Sequence, residues 1–359
     1  MITILAHYER ISLFHTMETF FNRRFRRLFH ITQSFNYCLN RDKNKILFME
    51  RCFQHREPRD LAPDELSAIK KLRDKYQTIV FFCGQPEAGT NRLDLLPYVD
   101  RLFYKSVFAD GENYRRDLYA KNLFADYYHR QYHVSDKDIE YRCAPVLNGE
   151  DAKRIALSWN IGVGDYPRRH WPQRIGTALA RAGFLGLRRL FRTGRRKTAP
   201  SDFSGAARAV AVHARIDPVS CESIAYQRRL FVKHITGNAL FLTGIVPQNQ
   251  YYRELYDSKI VLSPFGWGEV CFRDFEAVIS GSLLLKPDMS HLKTWPDVYI
   301  PYETYVPVNW DGTDIIEKAE IFLANDRERR RIAENAYEQY YAQLAGLEDR
   351  FETLFRDLL

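Results

Sequence analysis

Two series of short apolar runs, each interleaved with polar stretches of helical periodicity, restrict the fold more than any other feature of this chain. In the first series TILA (3–6), KILFME (45–50), TIVFFCG (78–84), RLFYKS (101–106) and RIALSWNIG (154–162) read as strands. Between them APDELSAIKKLRDKY (62–76) reads as an amphipathic helix opened by Pro63 and Asp64. The second series is AVAVHARI (209–216), ALFLTG (239–244), KIVLSP (259–264) and SLLLKP (282–287). Strands alternating with helices are the pattern of a parallel sheet covered on both faces. At 359 residues the chain exceeds one typical core, so the simplest α/β architecture is two doubly wound halves. The first is expected over 1–200 and the second over 205–325, with the Ser/Pro/Gly stretch TAPSDFSG (198–205) as linker. The strongly helical tail, 326–359, is expected to pack back on the first half.

The six cysteines, at 38, 52, 83, 143, 221 and 271, show no metal-ligand or redox spacing and read as free thiols in a reducing compartment. No apolar run reaches the roughly 18 residues that span a bilayer, and the amino terminus lacks the pattern of a signal peptide, so a cytoplasmic protein is expected. No metal site is visible: His129 and His133, four apart, lack the acid and third ligand of a zinc helix. The net charge of +8 is local, because nine arginines and one lysine fall in 168–197 with no acid among them, leaving the remainder slightly acidic.

The stretch SPFGWGEVCFRDFEAVISGSLLLKP (263–287) carries the most chemistry. Gly266 and Gly268 sit on a turn between a strand and a helix, where backbone N–H groups and the helix N-terminus suit a phosphate. Arg273 brings a fork of donors to the same anion, and Glu276 can accept both hydroxyls of a ribose. Gly281 ends the helix and SLLLKP opens the next strand, as a βαβ unit requires. The bland alternative is a tight turn beside a solvated Arg273–Glu276 pair.

These residues resemble the donor-site block of group 1-like and exostosin-like glycosyltransferases of bacterial surface-polysaccharide (lipopolysaccharide or capsule) type. LPYVDRLFYKS, DYYHRQYHVSD and LSWNIGVGDY are similar to further blocks of that group. The resemblance implies the GT-B fold, two Rossmann-like domains facing a cleft, with a nucleotide-sugar donor as co-substrate and no other cofactor. It places Arg273 at the diphosphate, Glu276 at the ribose, and Gly266 and Gly268 in the donor loop; Ser263 and Glu269 of the same stretch, and Arg215 at the end of the strand AVAVHARI, are further donor-site candidates from their positions. Many retaining members carry a first glutamate eight residues before the second; here that position is Gly268, with Glu269 one residue later.

Glycosyl transfer needs a group to take the acceptor's proton and positive charge for the leaving diphosphate. Such a base belongs just beyond a strand of the first half. His7 and Glu9 follow TILA, Glu87 follows TIVFFCGQP, and Asp165 follows LSWNIGVG; Glu9, His7 and Glu87 are the candidates.

The basic segment GTALARAGFLGLRRLFRTGRRK (176–197) sets Leu, Phe and arginines, including Arg181, Arg188, Arg189 and Arg192, at near-helical spacing. It reads as a surface for an anionic membrane and a lipid-linked glycan acceptor. FNRRFRRLFH (21–30) offers a second such contact. A solvated basic loop is the bland alternative, and without a nucleic-acid module nucleic acid is not expected as partner. The function expected is transfer of a sugar to a cell-surface glycan at the cytoplasmic membrane face, with a non-catalytic glycan- or polyanion-binding protein as the alternative.

Overall fold

The structure is a computed structural model that describes residues 1–53, 61–86, 88, 92–136, 149–192, 203 and 208–358. Strands β1 (Ile2–Ala6), β2 (Phe29–Thr32), β3 (Ile46–Glu50), β4 (Thr78–Phe82), β5 (Arg101–Tyr104), β6 (Ser106–Phe108) and β7 (Ile155–Leu157) belong to the first half. The second half holds β8 (Val210–His213), β9 (Phe241–Leu242), β10 (Ser258–Leu262), β11 (Leu283–Pro287), β12 (Leu292–Thr294) and β13 (Val306–Val308). The first sheet runs β2-β1-β3-β4-β5-β7 and the second β13-β11-β10-β8-β9. Every pairing within these two sheets is parallel.

Both sheets reverse at the same place: β1 lies between β2 and β3, and β8 between β9 and β10. Consecutive strands are added on opposite sides of the first one, which opens a crevice at its carboxyl end. Two Rossmann-like sheets whose carboxyl edges meet at one cleft make the GT-B arrangement. A short antiparallel ribbon, β6 with β12, ties the halves beside that cleft.

The strands form because both faces are covered. Ile4 lies opposite Phe48 and Phe48 opposite Val80, all fully buried. All five residues of β11, LLLKP, are buried, Lys286 included. The helix Phe272–Ser280 ends at Gly281, whose φ of 72° is the left-handed cap that glycine adopts without strain.

The tail divides its contacts. Helix Asp326–Ala345 packs on β11 and on Phe272–Ser280, while the Tyr340 hydroxyl donates across to the Gly162 carbonyl, 2.6 Å. Helix Leu347–Phe355 lies on the first half, where Phe351 stacks on Phe25 at 4.5 Å and Phe355 meets Phe48 and Phe103. Phe20, Phe82 and Trp159 complete this aromatic core. No helix among the described residues is long and apolar enough to cross a membrane.

Candidate active site

The carboxyl edges of the two sheets open into one cavity of about 1520 Å³. Arg51, Gly84, Lys105 and Asn160 line it from the first half; Asp217, Ser263 and Glu276 are among those lining it from the second. The loop between β10 and helix Phe272–Ser280 forms much of the second wall, through Gly266, Trp267 and Gly268.

One carboxylate holds this loop. Asp274, fully buried, accepts Ser263 Oγ at 2.6 Å, the Cys271 amide at 2.8 Å, the Tyr299 hydroxyl at 2.7 Å and Lys286 Nζ at 3.0 Å. It therefore caps the helix it belongs to and neutralises the lysine of β11. The loop is closely packed at Gly266, where a Cβ would stand 3.1 Å from Cys271 Sγ and 3.4 Å from Arg228 Nη2.

Two guanidinium groups flank the loop on the cavity wall. Arg228, from helix Glu222–Ile235, donates to the Phe265 carbonyl at 3.0 Å and the Asp217 carbonyl at 3.2 Å. Burial holds its pKa below the usual arginine value. Arg273 donates from Nε to the Tyr251 hydroxyl at 3.3 Å and from Nη2 to the Arg215 carbonyl. Beside it Glu276 accepts the Tyr252 hydroxyl at 2.7 Å and the Tyr251 hydroxyl at 3.0 Å. Burial raises the Glu276 carboxyl above its ordinary pKa, and the two tyrosine bonds pull it back. A glycine loop, a helix N-terminus and two guanidinium groups suit an anion such as a diphosphate, and an adjacent carboxylate suits a diol.

Other residues expected here lie elsewhere. Arg215 is drawn off the cavity by Glu254, with Nε to Oε2 2.8 Å and Nη2 to Oε1 2.9 Å, and by the Thr243 carbonyl. Glu269 is turned inward and fully buried; its Oε2 accepts the Ala88 amide at 3.0 Å and its Oε1 faces His291 at 3.7 Å. Neither residue is on the cavity wall.

In the first half, His7 and Glu9 follow β1, with Nε2 3.5 Å from Oε1, and Glu9 Oε2 accepts Arg51 Nη2 at 2.9 Å. Arg51 is on the cavity wall; His7 and Glu9 are not among the residues that line it. Glu87 lies outside the described residues. Asp165 is buried and accepts Gln173 Nε2 at 3.2 Å. Asp136, which strand-end reasoning passed over, lines the cavity and accepts the Ser223 amide of the other half at 3.1 Å.

The basic segment separates into inward and outward residues. Arg188 is buried rather than on a surface: it pairs with Glu18 at 3.2 Å and stacks over Phe21, 3.4 Å from the ring centroid. Arg192 pairs with the same glutamate at 3.0 Å. Arg181 and Arg189 are exposed, as are Trp171, Ile175, Phe184, Leu187 and Leu190. The stretch 193–202 lies outside the described residues. In the 21–30 stretch Phe25 and Phe29 are buried, so only its arginines and Leu28 face outward.

A family model described as glycosyl transferase-like matches residues 225–355. The matched span lies within the second half, which is similar to glycosyl transferase-like domains. Glycosyl transfer is the activity class this match supports, and the matched span contains Arg228, Arg273 and Glu276. No curated protein matches the chain. Among solved structures it is similar to an alpha-glucosyltransferase in complex with UDP, at 11% identity over 99% of this chain and 98% of that one, TM-score 0.49. It is also similar to HepE of Anabaena in complex with UDP, at 8% identity over 99% and 100%, TM-score 0.49. A UDP-forming alpha,alpha-trehalose-phosphate synthase from Burkholderia vietnamiensis aligns at 13% identity over 87% and 74%, TM-score 0.43. Likeness at this level says nothing of what this chain binds.

Among the described residues no group of three or more His, Cys, Asp or Glu side chains can hold a metal ion. Arg228 was visible in the sequence only as one of two neighbouring arginines. Its partner Arg229 pairs with Glu222 on the surface, and helical phase separates the two.

Proposed function

We propose that the protein moves a sugar from a nucleotide-sugar donor to a growing cell-surface glycan at the cytoplasmic face of a membrane. What supports this reading is the meeting of Gly266, Arg228, Arg273 and Glu276 on one wall of the interdomain cavity. The diphosphate lies against the loop and both guanidinium groups, and the ribose on Glu276. An acceptor hydroxyl entering from the first half bonds to the anomeric carbon as the bond to the diphosphate oxygen breaks. The electron pair stays on the diphosphate, where Arg228 and Arg273 stabilise it. The acceptor proton passes to a base of the first half, Asp136 on the cavity wall or Glu87. A thermal-shift series with UDP, GDP, dTDP and CMP tests the donor site. A nucleotide at 100 times its dissociation constant stabilises the fold by about 2.7 kcal/mol, a visible rise in Tm. No shift with any of them overturns the donor assignment.

The membrane part of the proposal rests on the exposed apolar residues beside the cleft. Helix Trp171–Arg181 sends Arg174 to the cavity wall and leaves Trp171 and Ile175 exposed. Phe184, Leu187 and Leu190 extend that surface among Arg181 and Arg189, and Leu190 is 76% exposed. Apolar side chains ringed by arginine suit the interface of an anionic bilayer. Wild-type protein should co-sediment with vesicles containing phosphatidylglycerol and not with neutral ones. Leu190→Glu with Phe184→Glu should weaken that binding about tenfold or more, since each buried apolar side chain is worth roughly 1.5–3 kcal/mol. Equal binding by the double variant removes this surface.

A further inference from the structure

Tyr251 and Tyr252 are consecutive residues of helix Gln248–Tyr256, and both hydroxyls converge on Glu276. Their protons can be assigned throughout. Burial raises both phenols well above their ordinary pKa, so each hydroxyl keeps its single proton and donates it to the carboxylate. The oxygen of Tyr251 in turn accepts Arg273 Nε–H, 3.3 Å. The oxygen of Tyr252 stands 3.1 Å from His170 Nε2, which comes from the opposite wall of the cleft. Burial, reinforced by Arg10 and Arg174, pushes the His170 pKa down to about 4, so the ring is neutral and carries its proton on Nε2 to make this bond. A chain therefore runs His170 to Tyr252 to Glu276, and from Arg273 through Tyr251 to the other oxygen of the same carboxylate. All five residues line the cavity.

A carboxylate has about four acceptor positions. The tyrosines take one on each oxygen, which leaves one on each oxygen. That remainder matches two adjacent hydroxyls.

We infer that Tyr251 and Tyr252 are positioning residues that orient Glu276 to accept the 2′- and 3′-hydroxyls together, so that the donor is a ribonucleotide sugar and not a deoxythymidine one. The inference rests on the donor reading proposed above, which already places the ribose on Glu276, and adds to it the two residues that orient the carboxylate and so the discrimination against a 2′-deoxy donor. Neither tyrosine touches the reacting carbon. Their part is to fix which way the carboxylate faces, and His170 holds Tyr252 from the other half.

The test is calorimetric binding of UDP, GDP and CMP against their 2′-deoxy forms. A hydroxyl donating to a carboxylate is one of the stronger hydrogen bonds, so wild type should prefer the ribose form by about tenfold or more. In Tyr252→Phe and in the double variant Tyr251→Phe, Tyr252→Phe the ribonucleotide should fall to the affinity of its deoxy form, whose own affinity stays put. A purely structural role would weaken both forms alike. The inference is overturned if wild type binds both forms equally, or if the double variant keeps the preference with an unchanged Tm. Absence of binding by every nucleotide would instead remove the donor reading, and this inference with it.

Discussion

Asp274→Ala should cost the protein about 3–5 kcal/mol of stability. The carboxylate accepts four hydrogen bonds, and one of them comes from Lys286, an ammonium that no water reaches in the middle of β11. Removing the acid leaves that charge buried and unpaired, together with an unsatisfied Ser263 hydroxyl, Tyr299 hydroxyl and Cys271 amide. Asp274→Asn keeps acceptor capacity without the charge and should fall between. The partner change separates the causes: Asp274→Ala combined with Lys286→Met removes both charges and should recover a good part of the loss, because a buried pair replaced by apolar residues is often neutral. Urea unfolding of the four proteins measures this. A loss below about 1 kcal/mol in Asp274→Ala would show that Lys286 finds another partner, and the hub assignment would fail.

The consequence for function follows from where this acid sits. Ser263 and Cys271 are the two ends of the loop on the cavity wall, and Asp274 binds both. The residue that stabilises the second half is thus the one that shapes the loop of the proposed anion site. It stands next to Arg273 in sequence, one hundred degrees away around the helix and facing inward.

That pairing explains how far the sequence could be read. Strands covered on both faces are continuous apolar runs, so β1, β3, β4, β5, β8, β10 and β11 were signalled, and the edge strands β7 and β9 were signalled by apolar runs of their own in RIALSWNIG and ALFLTG. β2 was hidden because Phe29–Thr32 is a half-buried edge strand next to four arginines, and the charge masked the apolar positions. β13, Val306–Val308, is three residues with a central proline and carries no run to detect. For the site, glycine, arginine and glutamate at fixed spacing after a strand marked the loop. Spacing says nothing of whether Glu269 turns inward or whether Arg215 finds Glu254, since both outcomes depend on residues distant in sequence. The same limit hid the burial of Arg188, which Glu18 and Phe21 supply from the other end of the half. Tyr251 and Tyr252 were invisible for a further reason: adjacent residues on a helix point about a hundred degrees apart, and only large rings let both hydroxyls reach one carboxylate.

Arg273→Ala should lower kcat/KM for the nucleotide sugar by about 10² to 10³, the cost of removing a charged donor from a developing oxyanion. A guanidinium carries five N–H donors. In Arg273 one is given to Tyr251 and one to the Arg215 carbonyl, which fixes the plane of the fork and leaves three for the ligand. Arg273→Lys keeps the charge but has neither the plane nor the fork, so it should recover little of the loss. Arg228→Ala should lower the rate by a similar factor, because Arg228 flanks the same loop from the neighbouring helix. Arg215→Ala is the contrasting case: its side chain is bound to Glu254 and Thr243 off the cavity, so it should lower Tm and leave the KM for donor nearly unchanged. Steady-state kinetics with the nucleotide sugar identified by thermal shift, alongside Tm values without ligand, distinguish these cases. A rate undiminished in Arg273→Ala would move the leaving diphosphate elsewhere in the cavity. A rate lost equally in Arg215→Ala would mean that the Arg215–Glu254 pair is what holds the carbonyl orienting Arg273 in place.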